Sequence, residues 1–187
     1  MVEMAEARRE HAPQIARLIM QAMTDECCLH FCGKGHGLDD FYAMMTLLVE
    51  REDSQYSYLN TVVALDGSAV VGVAVAYDGG RLHELRRAFV EMAKVYLDVD
   101  HSNIDDETQS GELYLDSLAV LPAYRRKGIA RRLVVETKRR ADLSGLPCVG
   151  LLVDADNDAG AKFYDKLGFR FVDNSRWGGH AMRHLVL

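Results

Sequence analysis

Apolar and polar positions divide the chain into a first half that mixes helix and hairpin and a second half that alternates strand and helix. Val2–Ala7 reads as a short first strand. From about His11 to Met23, Ile15, Leu18, Ile19 and Ala22 recur at the spacing of one helix face. Pro13 falls in the first turn, where its missing N–H does no harm. A second helical pattern covers Leu38–Glu50 through Phe41, Met44, Met45 and Leu48. The stretch between them, Cys27–His36, is expected to be a loop. Leu59–Leu65 and Ala69–Tyr77 are rich in Val and Ala and are joined by Asp66-Gly67-Ser68, which predicts a hairpin. Arg81–Leu97 predicts a helix, and the polar, acidic His101–Gly111 predicts a loop.

The second half reads as a strand over Glu112–Val120, a basic turn over Pro122–Ala130 and an amphipathic helix over Ile129–Leu143 with Ile129, Leu133, Val134, Thr137 and Ala141 on one face. A continuous apolar strand follows at Cys148–Val153, then a short helix at Asp158–Leu167 and two last strands at Phe169–Asp173 and His180–Leu187. This order implies a parallel βαβ unit, and the hairpin before it makes the sheet mixed. The expected class is therefore α/β, in one domain spanning 1–187. Period-two alternation would put Glu112, Tyr114, Asp116, Leu118 and Val120 on one strand face.

Composition narrows the function classes. The length suits one domain, and 49% apolar residues suffice for a sizeable core. A net charge of −6 argues against a nucleic-acid partner and leaves cationic small molecules and amines open. No apolar run approaches the ~20 residues that span a bilayer, and Met1–Glu10 lacks the apolar stretch of a signal peptide. Cys27, Cys28, Cys32 and Cys148 form no disulfide framework. The expectation is a cytoplasmic protein without membrane contact.

The turn Val120-Leu121-Pro122-Ala123-Tyr124-Arg125-Arg126-Lys127-Gly128-Ile129-Ala130 carries the strongest chemistry. A strand ends, Pro122 stops pairing, and a helix opens after Gly128. The first N–H groups of a helix lack intrahelical partners and lie at the positive end of its dipole, which makes an anion site. Arg125, Arg126, Lys127, Arg131 and Arg132 surround that turn, and a diphosphate fits it. Neither a Walker A loop nor a Gly-x-Gly-x-x-Gly turn is present. A solvated basic helix face is the competing explanation.

Arg-x-x-Gly-x-Ala over Arg125–Ala130, with the lead-in Leu118-Ala119-Val120-Leu121-Pro122, resembles the coenzyme A pyrophosphate loop of the GNAT N-acetyltransferase superfamily. A second stretch, Asn157 to Phe169, resembles that family's Asn-x-x-Ala-x-x-x-Tyr-x-x-x-Gly-Phe signature, with Gly160 where Ala is commoner, a change expected to matter little. As plain structure, Asn157 is a good N-cap and Gly168 a good helix stop. The resemblance implies a mostly antiparallel sheet with one parallel strand pair splayed at the acetyl-CoA site, flanked by helices. It implies that Leu118, Ala119, Val120, Arg125, Arg126, Lys127, Gly128, Ile129, Ala130, Arg131, Asn157, Gly160 and Tyr164 bind acetyl-CoA, Asn157 on the pantetheine arm and Tyr164 near the sulfur. It further implies acetyl transfer to a primary amine by direct attack on the thioester. A backbone N–H near Leu118–Ala119 would polarise the carbonyl and Tyr164 would protonate the leaving thiolate.

An alkyl amine with a pKa near 10.4 is neutral in only ~1 of 10³ molecules at pH 7, so a positioned base contributes rate. Asp116 is the first candidate and Glu112 the second; each could instead orient a cationic substrate or serve structure alone. Two alternatives stay open: a non-catalytic coenzyme A sensor and an enzyme using another acyl-CoA. Cys27, Cys28, His30, Cys32 and His36 match no zinc spacing, and no metal is expected. Cys148 reads as core. The segment Cys27–His36 and the turn Trp177-Gly178-Gly179-His180 are expected near the acceptor side. The apolar end His184–Leu187 could support a homodimer or simply complete the sheet.

Overall fold

The computed structural model describes residues 1–187. The elements follow as β1 (Glu3–Glu6), α1 (Ala12–Met23), α2 (Asp25–Cys32), α3 (Leu38–Glu50), β2 (Thr61–Asp66), β3 (Ala69–Asp78), α4 (Leu82–Tyr96), β4 (Glu112–Val120), α5 (Ile129–Leu143), β5 (Cys148–Asp154), α6 (Asp158–Leu167), β6 (Arg170–Trp177) and β7 (His180–Val186). The seven strands form one sheet in the order β1-β2-β3-β4-β5-β7-β6. Every neighbouring pair is antiparallel except β4 and β5, joined through α5. This is the mixed sheet that the element order implies.

The core lies on both faces of the sheet. On one, Ile15, Leu18 and Ile19 of α1 meet Phe41, Met44 and Leu48 of α3 and Phe89 of α4. On the other, Leu133 and Val134 of α5 meet Ala64, Leu115, Val149 and Leu151. Each fully buried leucine such as Leu133 contributes about 2 kcal/mol by leaving water. Central strands are therefore apolar on both faces, which explains their continuous rather than alternating patterns.

Two features depart from the sequence reading. Residues 25–32 are helix, not loop. Thr24 breaks the chain from α1 with φ 74° and caps α2, its hydroxyl accepting from the Cys27 N–H at 3.4 Å. Asp25 and Glu26 suit the first turn, and Cys28, Phe31 and Cys32 form the buried face. The strand expected at Phe169–Asp173 runs on to Trp177, and Gly178 and Gly179, at φ 59° and 83°, close a tight β6–β7 hairpin.

Candidate active site

Two irregularities in β4 create the site. The parallel pairing with β5 lasts only for Glu112, Leu113 and Tyr114 opposite Cys148, Val149 and Gly150. Beyond it β5 follows β7 as far as Asp154, while β4 continues to Val120. A wedge opens between them, edged by β4 backbone. Its polarity follows from alternation along an antiparallel pair. The Leu121 N–H donates to the Val71 carbonyl at 2.9 Å, so residues 119 and 117 also turn their polar groups to β3, and Leu118 and Val120 turn theirs to the wedge. Of the expected pair Leu118 and Ala119, it is Leu118 whose N–H faces the gap.

The second irregularity is a bulge. Val75 pairs with Ser117 but Ala76 pairs with Leu115, leaving Asp116 without a partner in β3. The extra residue breaks the alternation expected for this strand. Tyr114 packs with Tyr77, Leu82 and Leu85 on the α4 side, whereas Leu118 and Val120 pack on the α5 side. Glu112, Tyr114, Asp116, Leu118 and Val120 therefore do not share one face: the bulge at Asp116 moves Leu118 and Val120 to the face opposite Tyr114.

Asp116 lies in a concave position, enclosed by protein yet in some contact with solvent. Its Oδ2 accepts from the Ser117 hydroxyl at 2.8 Å. Burial, and then the neighbouring Glu107 carboxylate, push its carboxyl up to about 7 against the opposing effect of Ser117, Gln55 and Arg86. Glu112, the other candidate, is engaged elsewhere. Its carboxylate contacts His184 Nε2 at 2.7 Å and accepts from the Thr108 hydroxyl at 2.6 Å. Burial pushes it upward, but the hydrogen bonds from His184 and Thr108 outweigh that and hold it below its ordinary value. The bond to Glu112 raises His184 in turn, and Asp173 stands 3.3 Å from the other ring nitrogen. Gly150 is required opposite, because a Cβ there would overlap the Glu112 carboxylate. Glu107, Thr108, Glu112, Asp173 and His184 line a cavity of about 310 Å³.

At the end of β4 the chain turns through Pro122–Tyr124, and Arg126 and Gly128 adopt φ 60° and 76° before α5 begins. The Arg132 N–H is the first to bond back, to the Gly128 carbonyl at 3.1 Å. The N–H groups from Arg126 to Arg131 have no acceptor within the protein. A Cβ on Gly128 would meet nothing within 4 Å, so the space above the turn is open. Arg126, Lys127 and Arg131 are exposed around it, with Lys127 over the Tyr124 ring at 4.9 Å. Arg125 folds back so that Nε donates to the Val120 carbonyl at 3.2 Å, a carbonyl that Gln21 of α1 also reaches at 3.2 Å. Ile129 is buried beneath the turn and Ala130 half-buried.

Helix α6 borders the wedge from the other side. Asn157 Oδ1 caps it by accepting from the Gly160 N–H at 2.8 Å, which leaves Nδ2 free to donate. A Cβ on Gly160 would stand 2.8 Å from Asn157 Nδ2, so glycine here leaves the Asn157 side chain its room. Tyr164 packs edge-on against Phe163 and Phe169 at 5.1 and 5.4 Å, and burial pushes its phenol up to about 12. Helix α2 forms the facing wall. Cys27 lies within electrostatic reach of Asp154 and Asp116, and burial, then these carboxylates, raise its thiol. Phe31 meets Trp177 at 5.9 Å and His101 at 5.1 Å. The two segments expected near the acceptor thus touch one another. Cys148 is half-buried, its Sγ 3.6 Å from the Gly111 carbonyl.

Sequence reasoning did not find Glu107, Arg86, Gln55 or His184. Only spatial closeness marks them. A cavity of about 720 Å³ between α6 and the β6–β7 pair shares no residue with the turn or with Asp116.

A family model described as the acetyltransferase (GNAT) family matches residues 19–169. A mycothiol acetyltransferase of Nocardiopsis dassonvillei is 35% identical over 74 residues, covering 40% of this chain and 22% of that protein; the chain thus matches about a fifth of that relative's length. An N-acetyltransferase from Staphylococcus aureus Mu50 superposes with a TM-score of 0.81 at 21% identity, covering 99% of this chain and 100% of that one. The PaiA N-acetyltransferase of Thermoplasma acidophilum, solved in complex with coenzyme A, superposes with a TM-score of 0.55 at 15% identity, covering 98% of each chain. These structural likenesses concern the fold.

Proposed function

The chain belongs to the GNAT acetyltransferase family, and from that premise we propose that it is an acetyl-CoA-dependent N-acetyltransferase acting on a primary amine. The observation that carries the reading is the turn after β4, where N–H groups from Arg126 to Arg131 are open to an anion beside exposed basic side chains. It stands at the mouth of the wedge between β4 and β5. The diphosphate would rest on this turn and the pantetheine arm would enter the wedge, within reach of Asn157 Nδ2. The Leu118 N–H would donate to the thioester oxygen as it gains charge.

Asp116 would accept the proton of the attacking amine, directly or through water. The nitrogen then bonds to the acyl carbon and the carbon–sulfur bond breaks. Tyr164, held at about 12, stays protonated and donates a hydrogen bond to the departing thiolate. Full proton transfer from it to a thiolate whose thiol has a pKa near 8.5 would be uphill by about 3.5 pKa units, so its role is stabilisation ahead of protonation. Glu112 would leave its candidacy as base for a structural one, anchoring His184. The carboxylates of the cavity beside it suit a protonated amine on its way in.

A thermal-shift titration with acetyl-CoA, CoA and 3′-dephospho-CoA tests the cofactor. Saturable stabilisation by the first two is expected, with a smaller effect from the third if the 3′-phosphate is read. No stabilisation by any of them refutes the assignment of the turn. Thiol release with a panel of amines then tests the acceptor class.

A further inference from the structure

The segment between α4 and β4 is pinned by a charge in the protein interior. Arg86 of α4 donates to the Ile104 carbonyl at 3.2 Å, the Asp105 carbonyl at 2.9 Å and the Asp106 carboxylate at 3.0 Å, and it ion-pairs with Glu107. The Arg86 and Glu107 side chains are 8% and 6% exposed. The second Glu107 oxygen accepts from the Tyr77 hydroxyl of β3 at 2.7 Å and from Gln55 Nε2 at 3.3 Å. A buried ion pair of this kind is a weak source of stability, because desolvation of both charges offsets their attraction. Its position suggests another role.

Asp116 sits against this network. Glu107, Arg86 of α4 and Gln55 face it, as does Tyr77 of β3. Tyr56, Tyr114 of β4 and Cys27 of α2 complete the titratable groups around it. Gln55 is buried and lies between the two carboxylates, bonding to Glu107 and toward Asp116. Its Oε1 is buried and has no partner. A buried acceptor left empty is destabilising, because its lost hydration is not replaced. Asp116, when protonated, is a donor that the same amide already neighbours.

We propose that Glu107, held by Arg86 and Tyr77, is a positioning residue that with Gln55 keeps Asp116 able to exchange a proton, the Gln55 amide donating to the ionised carboxylate and accepting from the protonated acid. Glu107 disfavours a second negative charge beside it, and Gln55 carries both a donor for the ionised state and an unpartnered acceptor, Oε1, for the protonated one. The proton taken from the amine therefore has a prepared site and passes on to solvent. This rests on the reading of Asp116 as the proton acceptor.

The test is a titration of the full chain labelled with ¹³C at the aspartate carboxyls, the Asp116 signal assigned with Asp116→Asn, together with pH–rate profiles at saturating acetyl-CoA. In the unsubstituted protein the Asp116 midpoint is expected near 7. Glu107→Gln should lower that midpoint by about one pH unit or more, a tenfold change in proton affinity, and move the acid limb of kcat/KM with it. Gln55→Leu, which removes a donor without removing a charge, should raise the midpoint. Opposite shifts in two variants of one network are not the signature of general damage. Should Glu107→Gln not fold, the Gln55→Leu shift and the midpoint of the unsubstituted protein still decide. Unmoved midpoints, or an ordinary midpoint near 4 in the unsubstituted protein, overturn the proposal. Moved midpoints with an Asp116→Asn rate profile equal to the original sink only the base reading, and the coupling stands.

Discussion

Replacing Asp116 by Asn should stabilise the protein, and the gain should grow with pH. A carboxyl raised from 3.8 to about 7 binds its proton more tightly in the native state than in the unfolded chain. Stability is therefore lost as pH rises from the unfolded value to the native one, and it levels off above that. At about 1.4 kcal/mol per unit, ionising Asp116 in its folded environment costs about 4 kcal/mol at pH 8 and about 1.7 kcal/mol at pH 5. Asn keeps the shape and a hydrogen-bonding end but has no charge to desolvate. Whatever constant difference separates amide from acid cancels between the two pH values. The expected excess gain at pH 8 over pH 5 is thus about 2.6 kcal/mol, an upper figure because water and relaxation at the cleft reduce it. Urea unfolding of both proteins at pH 5, 6, 7 and 8 measures it. A gain that is flat with pH, or that shrinks as pH rises, would refute the claim that this carboxyl carries a raised pKa. The variant should at the same time lose the acid limb of its rate profile near pH 7, so that greater stability accompanies lower turnover.

Gly128→Glu should abolish coenzyme binding in calorimetry while costing only about 1–2 kcal/mol of stability for a left-handed non-glycine residue, because a Cβ there meets nothing within 4 Å; unchanged affinity would remove the turn from the site. Tyr164→Phe should lower kcat tenfold or more and leave the acetyl-CoA dissociation constant within about twofold, the range expected when an interaction made mainly in the transition state is lost; equal turnover would show that the hydroxyl is not needed. Gly150→Ala should destabilise by about 2–4 kcal/mol, since its Cβ would displace the Glu112 carboxylate from His184 and Thr108 and leave that buried charge without its partners, and a melting temperature within a degree of the original would contradict that packing.

Much of the architecture is legible in local patterns. Helices over Leu38–Glu50, Ile129–Leu143 and Asp158–Leu167 and the strand Glu112–Val120 occur where periodicity places them, because each buries one apolar stripe or lies apolar between two layers. The Asp-Gly turn between β2 and β3 and the glycine stop at Gly168, φ 100°, are read from residues whose backbone needs are unusual. Helix α2 escaped because its apolar positions are cysteines and one phenylalanine, separated from α1 by the single residue Thr24. The capping signal lies in Thr24, Asp25 and Glu26, but a helix of eight residues with three cysteines in it carries too few strongly apolar positions to show a period.

The chemistry divides along another line. Anion recognition by the turn is a property of consecutive residues, since open N–H groups, the left-handed Gly128 and the basic side chains all belong to one short segment, and so it could be read from that segment. Proton chemistry is a property of neighbours distant in sequence. Asp116 and Glu112 carry the same functional group on the same strand, four positions apart. One meets His184 and Thr108 and is held ionised; the other meets Glu107 across a bulge and is held near neutrality. Nothing in the strand's own sequence distinguishes them, and the alternation rule even places them together. The distinction comes from Arg86, which fixes the residues before β4 so that Glu107 lies near Asp116, and from the bulge at Asp116, beyond which the strand reverses its facing. The bulge and the ion pair together set the acid–base behaviour of the site: pairing with β3 keeps Leu118 and Val120 on the α5 side, while Asp116, left without a partner in β3, stays beside the groups that Arg86 holds in place.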